Sequence, residues 1–374
     1  MSARPTWVEI SLARLAANCR AVKQLIGTDT QLMAVVKADA YGHGAPRCAQ
    51  VLAAAGADWF GVALIEEALE LRADGITQPI FCLGGAWPEQ AETVIRHQLT
   101  PALFTIESAA ALNHAAQQSH QTLAVHLKVD TGMGRYGVPL ADLPAFLDAF
   151  SPFEHLRIDG LMTHLANADD ADHAHTNQQI AAYQTAWQMM RARGYQPTWQ
   201  HLANSAAAHG HATARGNLVR VGALLYGLTG DVLQRGLPDV NVQPVLSLHS
   251  RIAFLKTVPA GVTIGYGATF TTTRTSRIAT IPIGYADGYR RDLSNRGVVL
   301  IRGARAPIVG RVSMDLTMVD ATDIPAAAFG DEVVLLGEQG AATMRAEELA
   351  ALLDTVSYEV VTGISARVPH LYRS

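Results

Sequence analysis

Lys37 ends a short apolar run, Leu32–Val36, and a glycine-rich segment follows, Ala38-Asp-Ala-Tyr-Gly-His-Gly44. The run reads as a strand, and a helical pattern begins beyond it with Pro46 in its first turn. A lysine delivered to the rim of a sheet can be partly desolvated. That lowers its pKa and frees the amine to act as a base or as a Schiff-base nucleophile. Tyr41, Gly42 and Gly44 suit a turn wrapped around a ligand. Other polar residues fall at the ends of later apolar runs: Lys128 and Asp130 with Thr131–Gly137 behind them, Thr163-His164, Asn204-Ser205, and Arg220 just before Gly222 and Ala223. Ser205 reads as the N-cap of a short helix, whose first amides suit an anion such as phosphate. Gly222 and Ala223 are small enough to let backbone amides approach the same anion. Core packing alone does not explain polar residues gathered at one rim.

The elements that must position these residues form a regular series. Apolar runs at Leu32–Lys37, Phe60–Val62, Ile80–Leu83, Pro101–Phe104, Ala124–Val129, Arg157–Met162, Trp199–Leu202 and Leu218–Val221 alternate with helical segments. Cys48, Val51, Leu52 and Ala55 follow the period of one buried helix face. Ala174–Arg193 is the longest helical stretch, with Gly194 placed to end it. Eight βα units predict an α/β fold, an N-terminal (β/α)8 TIM-type barrel with its chemistry at the C-terminal strand ends; an open doubly wound sheet is the alternative. From about residue 240 the pattern turns β-rich, at Leu246–Val258, Ser276–Ile283, Val298–Arg302, Pro307–Val319 and Glu332–Leu336. One clear helix, Arg345–Leu353, is predicted among them. The expected division is a barrel over 10–238 and a mostly β domain over 239–374, with residues 1–9 able to join the second. The linker is expected within Leu233–Pro244, which carries Gly236, Pro238 and Pro244.

The chain of 374 residues has room for two domains, and its net charge of −4 gives no reason to expect nucleic acid or an anionic membrane as partner. No apolar run approaches the roughly 18 residues needed to span a bilayer. The first residues lack the apolar core of a signal peptide. Cys19, Cys48 and Cys82 lack paired spacing, which suits a reducing compartment, and the cytoplasm is expected. Asp169-Asp-Ala-Asp-His173-Ala-His175 has metal-ligand chemistry, but no further ligand set accompanies it and no metal is expected.

Several segments carry a resemblance. Val35-Val-Lys-Ala-Asp-Ala-Tyr-Gly-His-Gly44 resembles the pyridoxal phosphate lysine segment of bacterial alanine racemases, with Asp39 where asparagine is usual. His126-Leu-Lys-Val-Asp-Thr-Gly-Met-Gly-Arg-Tyr-Gly137, Thr163-His164, Ala203-Asn-Ser-Ala206 and Arg220-Val-Gly222 are similar to further blocks of that family, in order and spacing. So are Ile264-Gly-Tyr-Gly-Ala268, Pro282–Tyr289, Gly310–Asp315 and Ser357–Val360, with Arg290 where proline is common and Ser313 where cysteine is common. The resemblance covers nearly the whole chain.

It implies a racemase interconverting L- and D-alanine, supplying D-alanine for peptidoglycan if the source is a bacterium. Pyridoxal 5'-phosphate is the implied cofactor, joined to Lys37 as an imine. The implied cofactor contacts are Tyr41, His164, Asn204, Ser205, Arg220, Gly222, Ala223 and Tyr358, with Arg220 at the pyridine nitrogen. Arginine keeps its proton, so that nitrogen would stay unprotonated and the ring a weaker electron sink. Lys128 matches a lysine that is often carbamylated and orients the arginine matching Arg135; a plain ion pair of Lys128 with Asp130 or another neighbour is the other reading. Arg135, Met314, Tyr285 and Asp315 are the implied substrate contacts. Racemisation needs a base on each face of Cα: Lys37 is one, and Tyr266 the implied second, biased toward ionisation through His164 and Arg220. The family's head-to-tail homodimer implies that Tyr266, Met314 and Asp315 serve the other subunit's barrel. A serine or broad-specificity racemase is the nearest alternative. A fold-related decarboxylase acting on diaminopimelate or ornithine would need a cysteine near the C-terminus, and the last one here is Cys82.

Overall fold

A computed structural model describes residues 4–233 and 237–374. The chain divides into two compact units. One holds Leu15–Ala40 and Gly44–Val242; the other holds the described residues up to Arg14, Tyr41–His43 and Gln243–Ser374. Gly236, part of the expected linker, lies outside the described residues.

The first unit is the barrel. Its strands are Gln31–Val35, Trp59–Val62, Ile80–Cys82, Leu99–Leu103, Leu123–Asp130, Leu156–Met162, Trp199–His201 and Leu218–Val221. The first seven pair in parallel, each with the next, and the eighth pairs in parallel with the first in register Leu218↔Gln31. Between the seventh and eighth the ladder thins to isolated bonds, such as Arg220 N–H to Ala203 O at 3.0 Å. The result is a nearly closed barrel, not an open sheet. Met33, Trp59, Phe81, Ala102, Met162 and Leu218, each from a different strand, pack as one buried cluster that fills the interior. The longest helix, Ala174–Ala192, stops where expected, and Gly194 has φ +85°.

The second unit is mostly β. Its larger sheet runs Ala304–Pro307, Val298–Ile301, Glu332–Gln339, Leu246–Arg251, Trp7–Ser11, His370–Arg373, with Ala342–Met344 added on Glu332–Gln339. Trp7–Ser11 sits between Leu246–Arg251 and His370–Arg373, so the N-terminal strand belongs to this sheet. A three-stranded sheet joins Phe254–Val258, Ser276–Ile281 and Thr317–Asp320.

Two expectations need correction here. The stretch expected to be β-rich, Pro307–Val319, is β only at its two ends: Ala304–Pro307 and Thr317–Asp320 flank a loop that contains Met314 and Asp315. Apolar Val309, Val312 and Met314 gave it the pattern of a strand, but Val309 is buried in a local cluster with Ile264 and Ile278 while Met314 is exposed. The predicted helix is Ala346–Leu353, and a second one, Ser357–Thr362, follows it. Its two β-branched valines, Val360 and Val361, weaken the local helix signal, and buried Ser357 and Val361 anchor it instead.

One glycine in this unit fixes where two candidate residues stand. Tyr285 N–H donates to Ser313 O at 3.0 Å, and Ala286 N–H to Met314 O at 3.0 Å. A Cβ on Gly284 would meet Ser313 O at 2.2 Å and Met314 O at 2.4 Å. Gly284→Ala is expected to destabilise this unit by about 3 kcal/mol, because both obstacles are backbone. A fall in the urea midpoint measures it, and an unchanged midpoint refutes the close packing of Tyr285 and Met314 segments.

Candidate active site

The residues after Lys37 are not a simple turn. Ala38, Asp39, Ala40 and Tyr41 have φ of +51°, +53°, +54° and +56°, which makes Lys37–Gly42 a left-handed helical turn. A left-handed residue with a Cβ costs roughly 1–2 kcal/mol, so four in succession need anchoring. Glu67 supplies part of it: Oε1 accepts Ala38 N–H and Oε2 accepts Ala63 N–H, both at 2.7 Å, clasping the ends of the first two strands. Asp39 supplies more, accepting Ala45 N–H at 2.6 Å on Oδ1 and Gly44 N–H at 3.0 Å on its carbonyl. Backbone strain held in place by its surroundings in this way clusters at working sites.

Lys37 is half-buried, and its amine is pushed below the usual lysine range, by burial first and then by the Arg135 charge. Burial, Arg220 and Arg135 bring Lys128 down to about 8. His164 is pushed well below the usual imidazole range by burial, then by Arg220, Arg135, Lys128 and Lys37. These mutual influences place Lys37, Lys128, Arg135, His164 and Arg220 in one electrostatic neighbourhood at the barrel's C-terminal rim. Four of them are cations by nature, so the rim suits anions.

Asp130 makes no ion pair with Lys128, although its charge acts on the lysine. Its carboxylate accepts N–H bonds from Gly132, Met133 and Gly134 at 2.9–3.2 Å and so folds the loop that carries Arg135. Burial opposes its charge, but these donors outweigh it and hold the carboxyl below its ordinary value. Lys128 has no ion pair among the described residues; its Nζ lies 5.5 Å from the Tyr136 ring centroid, which stacks on Phe104 at 4.9 Å. The Lys128–Asp130 ion pair considered from sequence is therefore replaced by a loop-forming Asp130 and an aromatic-faced Lys128. A lysine with its native pKa below the unfolded value binds fewer protons when folded. Stability is expected to rise with pH from about 8 toward 10.4, the unfolded lysine value, and Lys128→Met should flatten that rise. Urea denaturation at several pH values in CO2-free buffer checks the sign.

Arg220 is buried, and burial lowers it to about 10. It has no carboxylate partner among the described residues. Its guanidinium donates to the carbonyls of His201, Thr163 (2.7 Å) and Leu202 (3.2 Å), and to Nδ1 of His164 and of His201, each at 3.2 Å. Asn204, not Ser205, takes the cap position expected of Ser205. The N-cap is Asn204, whose Oδ1 accepts Ala207 N–H at 3.0 Å. Ser205 is the first helical residue, and its Oγ accepts Gly222 N–H at 3.1 Å, tying the seventh strand's end to the Gly222-Ala223 turn. Asparagine caps as well as serine, so sequence alone could not order the adjacent pair.

The other candidates lie in the second unit. Tyr41 packs edge-on against Tyr358 at 6.1 Å, and burial pushes its phenol up to about 12, so it remains an O–H donor. Tyr266 is 74% exposed in a turn whose Gly265 and Gly267 have positive φ, and Tyr285, Met314 and Asp315 are exposed too. Asp315 pairs with Arg367 at 2.7 Å. Arg367 also reaches fully buried Asp287, which Arg4 holds at 2.7 Å and which accepts Gly284 N–H at 3.1 Å. Glu67, His201, Asp287 and Arg367 were not singled out from sequence. For His201 a signal existed: His126, Lys128 and Asp130 alternate along the fifth strand, and a buried histidine among them calls for a buried partner. The acidic segment Asp169–His175 folds on itself, with Asp172 accepting Ala174 N–H at 2.9 Å; no three ligand-type side chains gather there among the described residues.

A nearly closed barrel with a depressed lysine, a buried arginine and a helix cap at its C-terminal rim is a barrel enzyme built to hold anionic groups. Profiles of the alanine racemase N-terminal domain and C-terminal domain match residues 10–230 and 245–372. The alanine racemase of Halothermothrix orenii is 43% identical over 99% of this chain and 97% of its own length, and that of Symbiobacterium thermophilum 45% over 99% and 97%. Among solved structures, alanine racemase from Bacillus anthracis with bound L-Ala-P superposes with a TM-score of 0.93 at 35% identity, covering 100% of this chain and 96% of that one. Alanine racemase from Bartonella henselae with covalently bound pyridoxal phosphate gives 0.90 at 32%, covering 99% of each. The chain belongs to the alanine racemase family.

Proposed function

We propose that this protein interconverts L- and D-alanine with pyridoxal 5'-phosphate, using two bases on opposite faces of Cα. The observation that carries the reading is Lys37: a strand-end lysine with a depressed amine, on a strained and well-anchored turn, in a chain of this family. The rim fits the cofactor by the chemistry of its donors. Lys37 offers an amine free to form an imine. Asn204, Ser205, Gly222 and Ala223 would hold the phosphate with backbone and hydroxyl groups, and Tyr41 and Tyr358 with phenol donors. Arg220 would face the pyridine nitrogen as a donor that keeps its proton.

When bound, pyridoxal phosphate acidifies the substrate's Cα–H by withdrawing electrons into its conjugated ring. The chain's own groups do the rest. Lys37 Nζ moves a proton at Cα from one face. Tyr266 Oη of the partner subunit moves one from the other. His164 accepts from Arg220 on Nδ1. The proton of its neutral ring therefore sits on Nε2, which is left as a donor. Arg135 and the Met314 amide bind the substrate carboxylate, Tyr285 narrows the mouth, and Asp315 orders the same loop. Lys128, near 8, keeps enough neutral amine to add CO2; the carbamate would convert a cation into an anion beside Arg135. Exposure of Tyr266, Met314 and Tyr285 in one copy supports a homodimer with shared sites. D-alanine for peptidoglycan is the corresponding role.

A visible spectrum of the protein with pyridoxal phosphate, together with a D-amino-acid-specific assay on L-alanine, tests this. A colourless protein that makes no D-alanine overturns it. Equal or faster turnover of serine would instead favour a broader racemase.

A further inference from the structure

The barrel interior holds two buried histidines that the reaction above does not use, His126 and His201. His126 Nδ1 lies 2.9 Å from His201 Nε2, and His201 Nδ1 lies 3.2 Å from Arg220 Nη1. The arrangement is built. The fifth and sixth strands shift register between Val125 and His126, re-aiming the ring inward. Gly160 on the sixth strand makes room for it, since a Cβ there would lie 2.5 Å from the imidazole. Phe81 stacks on the ring at 5.0 Å and Trp59 leans on it at 5.6 Å.

Hydrogen-bond roles along this row are not free. Arginine only donates, so His201 Nδ1 must be an acceptor and its proton must sit on Nε2. That N–H needs an acceptor, and His126 Nδ1 is the one in reach; the His126 proton then sits on Nε2, which is buried with no hydrogen-bond partner among the described residues, so the guanidinium at the other end of the row decides the order. The opposite tautomer would turn a His201 N–H against the Arg220 guanidinium. Burial, then the Arg220 and Arg157 charges, brings His126 down to about 3, and His201 lies well below its ordinary range for burial first, so both rings are neutral.

We infer that His126 is a positioning residue for Arg220: by accepting the Nε2–H of His201, it locks His201 in the tautomer that can receive the guanidinium. Without that acceptor the His201 Nε2–H is buried and unpaired, and the ring is drawn toward the tautomer that opposes Arg220. The consequence for catalysis rests on the proposed role of Arg220 at the cofactor; the tautomer does not.

The test uses the full-length protein with 15N-labelled histidine, with and without pyridoxal phosphate, and the variants His126→Leu and His126→Asn. Nitrogen shifts should show a protonated Nε2 and bare Nδ1 on His201 in the unsubstituted protein. His126→Leu should lose that pattern and drop kcat about tenfold, with KM within about twofold. His126→Asn keeps an acceptor at the Nδ1 position and should retain the tautomer, with kcat within about threefold of the parent. A protonated Nδ1 on His201 in the unsubstituted protein overturns the inference. So does a change in tautomer or kcat without the other in a folded variant. If His126→Leu does not fold, the unsubstituted spectrum and His126→Asn still decide. Absence of any D-alanine formation by the unsubstituted protein would sink the racemase reading and leave the tautomer result standing.

Discussion

Lys37→Ala is expected to reduce racemisation by at least about 10,000-fold, because in the proposed reaction one side chain carries two tasks, cofactor attachment and proton transfer. The effect should be chemical and not structural. Lys37 donates none of the bonds that hold its turn: Glu67 binds Ala38 N–H, and Asp39 binds Gly44 and Ala45. Removing the amine also removes a charge that burial disfavours, so the variant should be no less stable than the parent near neutral pH. Circular dichroism and a urea midpoint would show the fold retained. The visible band of bound pyridoxal phosphate should change with the loss of the covalent link. Adding methylamine, a small amine that replaces part of the missing group, should restore a measurable fraction of activity. A Lys37→Ala protein that racemises within tenfold of the parent would end the assignment of this lysine.

Much of this site was legible because barrel chemistry is periodic. The eight strand runs could be read from apolar clusters, and strand ends then named Lys37, His164, Asn204, Ser205 and Arg220 without a structure. What escaped reading has specific causes. The left-handed turn after Lys37 contains Ala38, Asp39, Ala40 and Tyr41, of which only Asp39 is of a type that tolerates positive φ well, so no residue type announces it. Glu67 lies 30 positions from Lys37 in sequence and reaches that turn through a long-range backbone contact. The choice of Asn204 over Ser205 as cap depends on which of two good caps the backbone presents. The loop between Ala304–Pro307 and Thr317–Asp320 looked like strand because its apolar residues anchor a small cluster instead of pairing in a sheet. Tertiary contacts, invisible to local pattern, decided all four.

The second large effect concerns Tyr266. Tyr266→Phe keeps the ring of a residue that is 74% exposed and deletes only the hydroxyl, which has no hydrogen-bond partner among the described residues. Stability should hold while racemisation falls by about 1,000-fold or more in both directions, since inversion needs both proton transfers. Exchange of the α-hydrogen should survive for one enantiomer only, the one whose proton Lys37 reaches. That asymmetry separates loss of a base from general damage, which would slow exchange of both. Mixing then tests where the hydroxyl comes from. Lys37→Ala and Tyr266→Phe chains, each nearly inactive, should regain about a quarter of parental specific activity after dissociation and random reassociation. Half the dimers would be mixed, and each mixed dimer would hold one intact site and one doubly deficient site. If Lys37 and Tyr266 of the same chain worked together, no dimer in the mixture would contain an intact pair, and activity would stay at the parental-variant level. Recovery near a quarter, appearing only when mixed dimers are detected by mass, would make the dimer the smallest active unit.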